Sequence, residues 1–449
     1  RRGRQGADEA VAGGLVMARR WRAAAAGAAA GALFTFGAVA VGDRASPAEE
    51  CADDGVIRVA TGDDVSVGGA RRALINRWRD ERVQLIEISR VADLKHDEMM
   101  AAAQADPCQT YDLLIIDSAS TPEFAAAGLL SEISAEDVPS GLVRQASESG
   151  RWDGRQYALP FALDVGLLYR RDERVPESWD ELWQAARVAR AGFPRGGYLA
   201  QLGDFEGRTV GLLELLRADG ATVVDDDGEI VLGRPPNNQR ALTALLRMRQ
   251  GQRDQTLGDS WSDKEAESLA AFSGGGAGYL RHWPYADLQL ISDGRVPFHV
   301  SKLPGPATLG GSNLAITARS NKYDRVLKFV KFLLQPDNQR WLFACGGYAP
   351  VVEAAYENVP VCPREAEDGT AAVPSEKDLR ELATAIKDSL PTAARPELEH
   401  YTQFSEVFRA CVTKYVFSVE DPTLDDIEMI ADRLEAAKLG RTEKSEPCG

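Results

Sequence analysis

The chain has 449 residues, 44% of them apolar and 27% charged, a globular composition long enough for two cores and a leader. Lysine and arginine total 52 against 68 aspartate and glutamate, giving a net charge of −16. That balance argues against nucleic acid or an anionic membrane surface as a partner, because either recruits basic patches. Residues 1–50 read as a leader and not as part of a fold. Arg19, Arg20 and Arg22 precede an uncharged run from Ala23 to Gly42. This run is either an export signal, with Ala38-Val39-Ala40 as its cleavage pattern, or a retained membrane anchor. On both readings the rest of the chain is expected outside the cytoplasm.

From Val56 the pattern alternates. Val56–Ala60 is a β-type run, Ala70–Arg79 is helical, Val83–Ile88 is again β-type, and Asp93–Gln104 is a helix. The apolar run within Tyr111–Ile116 suits a strand buried on both faces of a parallel sheet, and a helix from Pro122 to Ala127 stops at Gly128. This is βαβαβ, which predicts an α/β fold with open sheets and helices on both faces. A second unit begins with a strand at Val165–Tyr169. Ser178-Trp179-Asp180-Glu181 is a capping box opening a helix. Helices are predicted over Thr209–Ala218 and Asn237–Gln250, with a hairpin of Ala221–Val224 and Glu229–Leu232 between them. A strand at Ala277–Leu280 follows a glycine run. Asn313–Thr317 is a strand leading into a helix, Tyr323–Leu334, whose Val326, Phe329, Val330 and Leu333 form one stripe. Further helices are expected at Glu376–Leu390, Gln403–Tyr415 and Leu424–Leu439, with a mobile tail at 441–449.

The six cysteines include no C-x-x-C pair, and no histidine stands at ligand spacing from them, so the spacing predicts disulfides and no metal site. With strand order 2-1-3, the first and third strands enter the sheet side by side. Cys51 and Cys108 stand just before them and are expected to be bonded. The spacing leaves the connectivity of the other four open, with Cys345 to Cys362 and Cys411 to Cys448 as one candidate pairing. Only four histidines are present, His96, His282, His299 and His400, and no nucleophile elbow, Walker loop or H-E-x-x-H occurs. No catalytic set and no cofactor is expected.

Five stretches occur in a telling order: Tyr157–Tyr169; Pro176–Leu182; His282-Trp283-Pro284-Tyr285-Ala286; Leu309-Gly310-Gly311-Ser312-Asn313-Leu314-Ala315-Ile316; and Phe329–Leu334 with Pro336 and Gly346-Gly347. Together they resemble the extracellular solute-binding proteins of ABC importers, the family of the maltose and trehalose receptors. The resemblance implies a periplasmic-binding-protein-like fold of two lobes around a hinged cleft. Residues 51–162 and 311–372 form lobe one, 163–310 form lobe two, and helices in 373–440 pack on lobe two and the hinge. It further implies a monomer that binds a small polar solute, a sugar by analogy, and delivers it to permease subunits in the membrane.

Trp283, at a strand end, is expected to stack on a sugar ring. Asp164, at the lobe crossing, is expected to accept hydroxyl hydrogen bonds. Asp63 and Asp64 follow the first strand, where ligands of open α/β sheets bind. Tyr285, Gly311 and Asn313 belong to the shared motifs. The sequence also departs from the family. Ser312 stands where sugar binders usually carry Trp, and the loop Asp117–Thr121, with Ser120, has no ring. Phe205 is a candidate replacement. Ala48-Glu49-Glu50 before Cys51 is no lipobox. These departures leave open a second reading, a membrane-anchored extracellular sensor that kept the fold and lost transport.

Overall fold

A computed structural model describes residues 54–88, 92–105, 111–363, 373–441 and 448. The leader with its run from Ala23 to Gly42, and Cys51 and Cys108 with the bond expected between them, lie outside the described residues. Residues Cys51–Gly449 form one compact unit.

In chain order the unit opens with β1 (Val56–Thr61), α1 (Ala70–Ile75), β2 (Arg82–Glu87), α2 (Ala92–Gln104) and β3 (Leu113–Asp117). After α3 (Thr121–Ala126) and α4 (Arg144–Glu148) comes a two-residue hairpin, β4 (Arg151–Trp152) and β5 (Arg155–Gln156). β6 (Leu159–Val165) and β7 (Leu167–Arg170) precede α5 (Trp179–Ala189), β8 (Gly196–Leu199), α6 (Glu206–Ala218) and α7 (Asn237–Arg253). Then come α8 (Glu265–Ser273), β9 (Ala277–His282), α9 (Tyr285–Asp293), β10 (His299–Lys302) and β11 (Leu309–Ile316). The chain closes with α10 (Tyr323–Leu333), α11 (Pro336–Gly346), α12 (Glu376–Ser389), α13 (Tyr401–Phe417) and α14 (Leu424–Lys438).

Two sheets result. The first has order β2-β1-β3-β11-β6, with β1 parallel to both β2 and β3, and β11 antiparallel to both its neighbours. Leu113, Leu114, Ile115 and Ile116 of β3 are all buried, as a strand covered on both faces requires. The second sheet has order β10-β7-β9-β8. α10 lays its stripe of Val326, Phe329, Val330 and Leu333 into the core, each fully enclosed. α12 packs on β10, α13 on α6 and α7, and α14 on α13 and α7. Disulfides join Cys345 to Cys362 and Cys411 to Cys448, with Cα atoms 5.0 Å apart in each.

Where the chain passes between sheets, the sequence reading needs correction. The expected strand Val165–Tyr169 is two strands. β6 ends at Val165 in the first sheet and β7 begins at Leu167 in the second, with Gly166 as the joint. A Cβ added at Gly166 would lie 2.5 Å from Glu214 Oε1 and 3.0 Å from Arg281 Nε, so this joint admits no side chain. A second passage runs from β10 to β11, and residues near 393 travel beside it. Ala393 N donates to Ala307 O at 2.9 Å, and Leu309 N donates to Ala393 O at 3.0 Å.

Smaller corrections have local causes. The hairpin around Asp225–Gly228 reduces to one bridge, Val224 to Ile230, because Asp225 Oδ1 takes the Asp227 and Glu229 amides into a tight turn. The box at α5 is half made. Ser178 Oγ accepts from Glu181 N at 3.2 Å, but the Glu181 carboxylate turns to the Glu177 amide instead.

Candidate functional site

The strand ends and loops of the two sheets enclose a cavity of about 820 Å³. Its first-sheet wall comes from the turn after β1, the end of β3 and the start of β11. The opposite wall comes from the start of α6, from α8 and from the residues after β9, while α13 and the segment before it form the back.

Trp283 follows the last residue of β9 and lines this cavity, only 7% exposed. Its Nε1 donates to Glu265 Oε1 at 2.7 Å, and the Arg281 guanidinium lies 3.8 Å from the ring centroid. Arg281 is itself held by both oxygens of Glu214 at 2.8 Å. The ring is therefore backed by a buried ion pair and fixed at its edge by a carboxylate. A Cβ added at Gly310 would sit 3.1 Å from Trp283 Cη2 and 3.2 Å from Asp164 Cβ, so β11 must be bare there for ring and acid to approach. Tyr285 and Val210 pack with Trp283 in a small apolar cluster.

Asp164 sits on β6 directly across from Gly310 and lines the cavity, half-buried. No side chain or backbone amide among the described residues donates to its carboxyl. Burial pushes it up to about 8, and the Glu265 and Asp117 carboxylates reinforce that rise against Arg281 and Arg395. The empty site thus holds a mostly protonated acid at neutral pH, able to donate as well as accept. His282 is the opposite case. Burial pushes it down to about 3, and its Nε2 stands 3.1 Å from the Glu265 carbonyl. It is a neutral packing group, not a proton carrier.

Asp63, Ser120, Phe205, Gly311 and Ser312 also line the cavity. Asp64 and Asn313 do not, which corrects the expectation for both. Asp64 folds back onto its own turn, accepting from Ser66 N at 3.0 Å and Arg72 N at 3.3 Å ahead of α1. Asn313 is buried on the far side of β11, where its Nδ2 donates to Thr121 Oγ1 at 2.9 Å and Ser149 O at 3.0 Å. The Phe205 ring lies over the backbone of its own helix, since a Cβ at Gly207 would come within 2.2 Å of it.

Sequence reasoning missed the group at the back. Arg395, buried, donates to both oxygens of Asp117, to Glu206 Oε1 at 3.1 Å, to Ser118 Oγ at 2.9 Å and to Leu309 O at 3.2 Å. Burial disfavours its charge, yet Asp117, Tyr401 and Glu206 hold the guanidinium well above its ordinary value. Glu206 accepts in addition from Tyr401 and from Ser405 at 2.6 Å. These partners lie far apart in sequence, 278 residues for Arg395 and Asp117, so no local spacing announces them. Among the described residues no group of histidine, cysteine, aspartate and glutamate is placed to hold a metal ion.

Comparison with known proteins agrees with this geometry. The family profile of bacterial extracellular solute-binding proteins matches residues 84–367. A probable ABC transporter-binding protein of Deinococcus radiodurans is 26% identical over 302 residues, 61% of this chain and 68% of that protein. The diacetylchitobiose binding protein DasA of Streptomyces coelicolor is 23% identical over 266 residues, 55% of this chain and 62% of its own length. Among solved structures, the maltose-bound MalE3 of T. maritima superposes with a TM-score of 0.70 at 24% identity, covering 85% of this chain and 99% of that one. UgpB from Mycobacterium tuberculosis, in complex with glycerophosphocholine, gives 0.69 at 21% identity, covering 87% and 99%. The fold is the two-lobed one of these solute receptors.

Proposed function

The chain belongs to the bacterial extracellular solute-binding proteins, and on that footing we propose that it is the receptor of an ABC importer, holding a sugar-like solute between its lobes. The observation that carries this is the pairing of Trp283 with Asp164, side by side at Gly310 in the cavity wall. A flat aromatic face beside a carboxyl that both donates and accepts is the chemistry a pyranose presents in reverse. The Ser120 and Ser312 hydroxyls, standing where rings would stack, favour a polar solute with few apolar faces. The solute touches both sheets, so binding shifts the population toward the closed arrangement without chemical change. Delivery to permease subunits follows from the same reading, as does action as a monomer. Titration calorimetry against mono- and disaccharides tests it, with recovery of the solute afterwards. Saturable binding with the sugar returned unaltered is expected; silence toward every sugar, or release of a hydrolysed one, refutes it.

A further inference from the structure

α13 lines the cavity for most of its length. Tyr401, Ser405, Arg409 and Thr413 meet it at every fourth residue, and a neighbouring row runs from Thr402 to Ala410. A row of that span covers about 18 Å at the helical rise of about 1.5 Å per residue. Its first turn stands beside the Asp164 end of the cavity, because Arg395, one of the charges that act on Asp164, lies 5.9 Å from the Tyr401 ring centroid. Trp283 belongs to the same end, next to Asp164 at Gly310. From there the wall leads around the start of α6, which presents Val210 to Trp283 and Thr209 to Ser405, and on to Thr413.

The far half of this wall is polar and held in place. Arg409 Nη1 donates to Ser405 Oγ at 2.7 Å, and its Nε lies 3.5 Å from Asp204 Oδ1. Thr402 Oγ1 donates to Glu123 Oε2 at 2.7 Å, and Thr413 Oγ1 accepts from Arg208 Nη1 at 3.4 Å. A hydroxyl has one donor and two acceptor sites, so each keeps capacity for a solute after these bonds. Ala410, half-buried, stands among them with only a methyl group, which leaves room in the wall. The cavity of about 820 Å³ is also near the top of the range of about 300–1,000 Å³ usual for ligand pockets. A single ring against Trp283 and Asp164 fills one end and leaves the α13 row untouched.

We propose that the solute is an oligosaccharide of three or more rings, with one end at Trp283 and Asp164 and the remainder along α13, where Thr402, Arg409, Ala410 and Thr413 form a distal subsite. The inference rests on the sugar-receptor reading and narrows it to a chain-length class. Hydroxyls repeated along a sugar chain meet polar groups repeated along a helix. The lining offers hydroxyls at Ser120, Ser312, Thr402 and Thr413, so affinity is gathered from many bonds, each modest on its own. Ala410 then sets the length, because a bulky side chain there closes the row between Arg409 and Thr413 and shortens the solute that fits.

Three homologous series test it: α-1,4-linked glucose, β-1,4-linked glucose and β-1,4-linked N-acetylglucosamine, each from one ring to four. They are titrated by calorimetry into the purified full-length protein. In a series that binds, the trisaccharide is expected to be at least about tenfold tighter than the disaccharide, the gain of one or two further hydrogen bonds. Ala410→Trp brings that ratio to about one, Ala410→Ser keeps it, and Thr413→Ala, as a second variant, lowers it. Thermal melting confirms that each variant is folded. A monosaccharide or disaccharide, in these series or in the wider panel, that binds as tightly as any longer chain overturns the length inference and leaves the sugar receptor standing. A trisaccharide preference that survives in both Ala410→Trp and Thr413→Ala overturns the subsite assigned to α13. If no sugar of any length binds, the inference falls together with the receptor reading.

Discussion

Asp164 and Trp283 are each fixed by what surrounds them, and each carries a measurable consequence. An acid that holds its proton longer in the fold than in the unfolded chain makes stability fall as pH rises between the two pKa values. For Asp164 that window runs from the ordinary 3.8 to about 8. Asp164→Asn should flatten the slope and leave the empty variant more stable at the upper end, by on the order of 2 kcal/mol after allowing for water in the cavity. Thermal midpoints of both proteins across that range check it, and parallel curves would refute it. Trp283→Ala should weaken binding of whatever sugar titrates by about 1–3 kcal/mol, read by calorimetry. It should also lower the melting temperature, because Arg281 loses its cover and Glu265 its donor. Trp283→Phe, which keeps a ring and drops the donor, should fall between. The sequence placed both residues at the cavity through their motif positions. It could not tell Asp63 from Asp64, because a one-residue step decides which carboxylate faces outward and which closes the turn. Asn313 misled for the same reason, since alternation along β11 sends it to the opposite face from Ser312. Glu265 and Arg395 carried no signal at all, as their partners are assembled only by the fold.

At the level of elements, long periodic segments were legible and short ones were not. The α10 stripe, the apolar β3 and the capped start of α5 each declare themselves through spacing or burial. β8, with Gly196 and Gly197, is absent from the elements expected from the sequence. It is a strand because Gly197 must lie flat on α5, where a Cβ would come within 1.8 Å of the Ala186 carbonyl. Gly166 is the same kind of position at the joint between β6 and β7. Gly166→Ala drives a methyl into Glu214, Leu303 and Arg281, and the expected loss is about 2–4 kcal/mol in denaturant unfolding. A loss below about 0.5 kcal/mol would mean that the joint yields freely. The Cys411–Cys448 bond closes 37 residues around α14. Replacing both cysteines with serine should cost roughly 3–4 kcal/mol by the chain-entropy estimate, seen as a lower melting temperature that reductant no longer shifts at this bond.

For the whole molecule, the proposed reading makes the relation between the two sheets the functional variable. Arg395 reaches Asp117 at the end of β3 and Glu206 at the start of α6, one on each side of the cavity. Arg395→Met removes the tie and leaves the partly exposed Asp117 and Glu206 carboxylates without their shared cation. The empty protein should then open, with a larger radius of gyration in solution scattering than the parent, and lose about 1–3 kcal/mol of stability. Identical scattering curves would show that other contacts hold the lobes. The ion pair behind Trp283 reaches further than the ring. Glu214 grips Arg281 with both oxygens and also accepts from Thr308 N at 3.0 Å, on the passage into β11, while its Oε1 crowds the empty side of Gly166 on the other passage. One carboxylate thus bears on the backing of Trp283 in the cavity and on the two passages β6–β7 and β10–β11. On the proposed reading, a solute pressing on the indole would bear, through two oxygens of a single side chain, on the same passages that let the sheets move, so being filled and being free to bend would be set at one point.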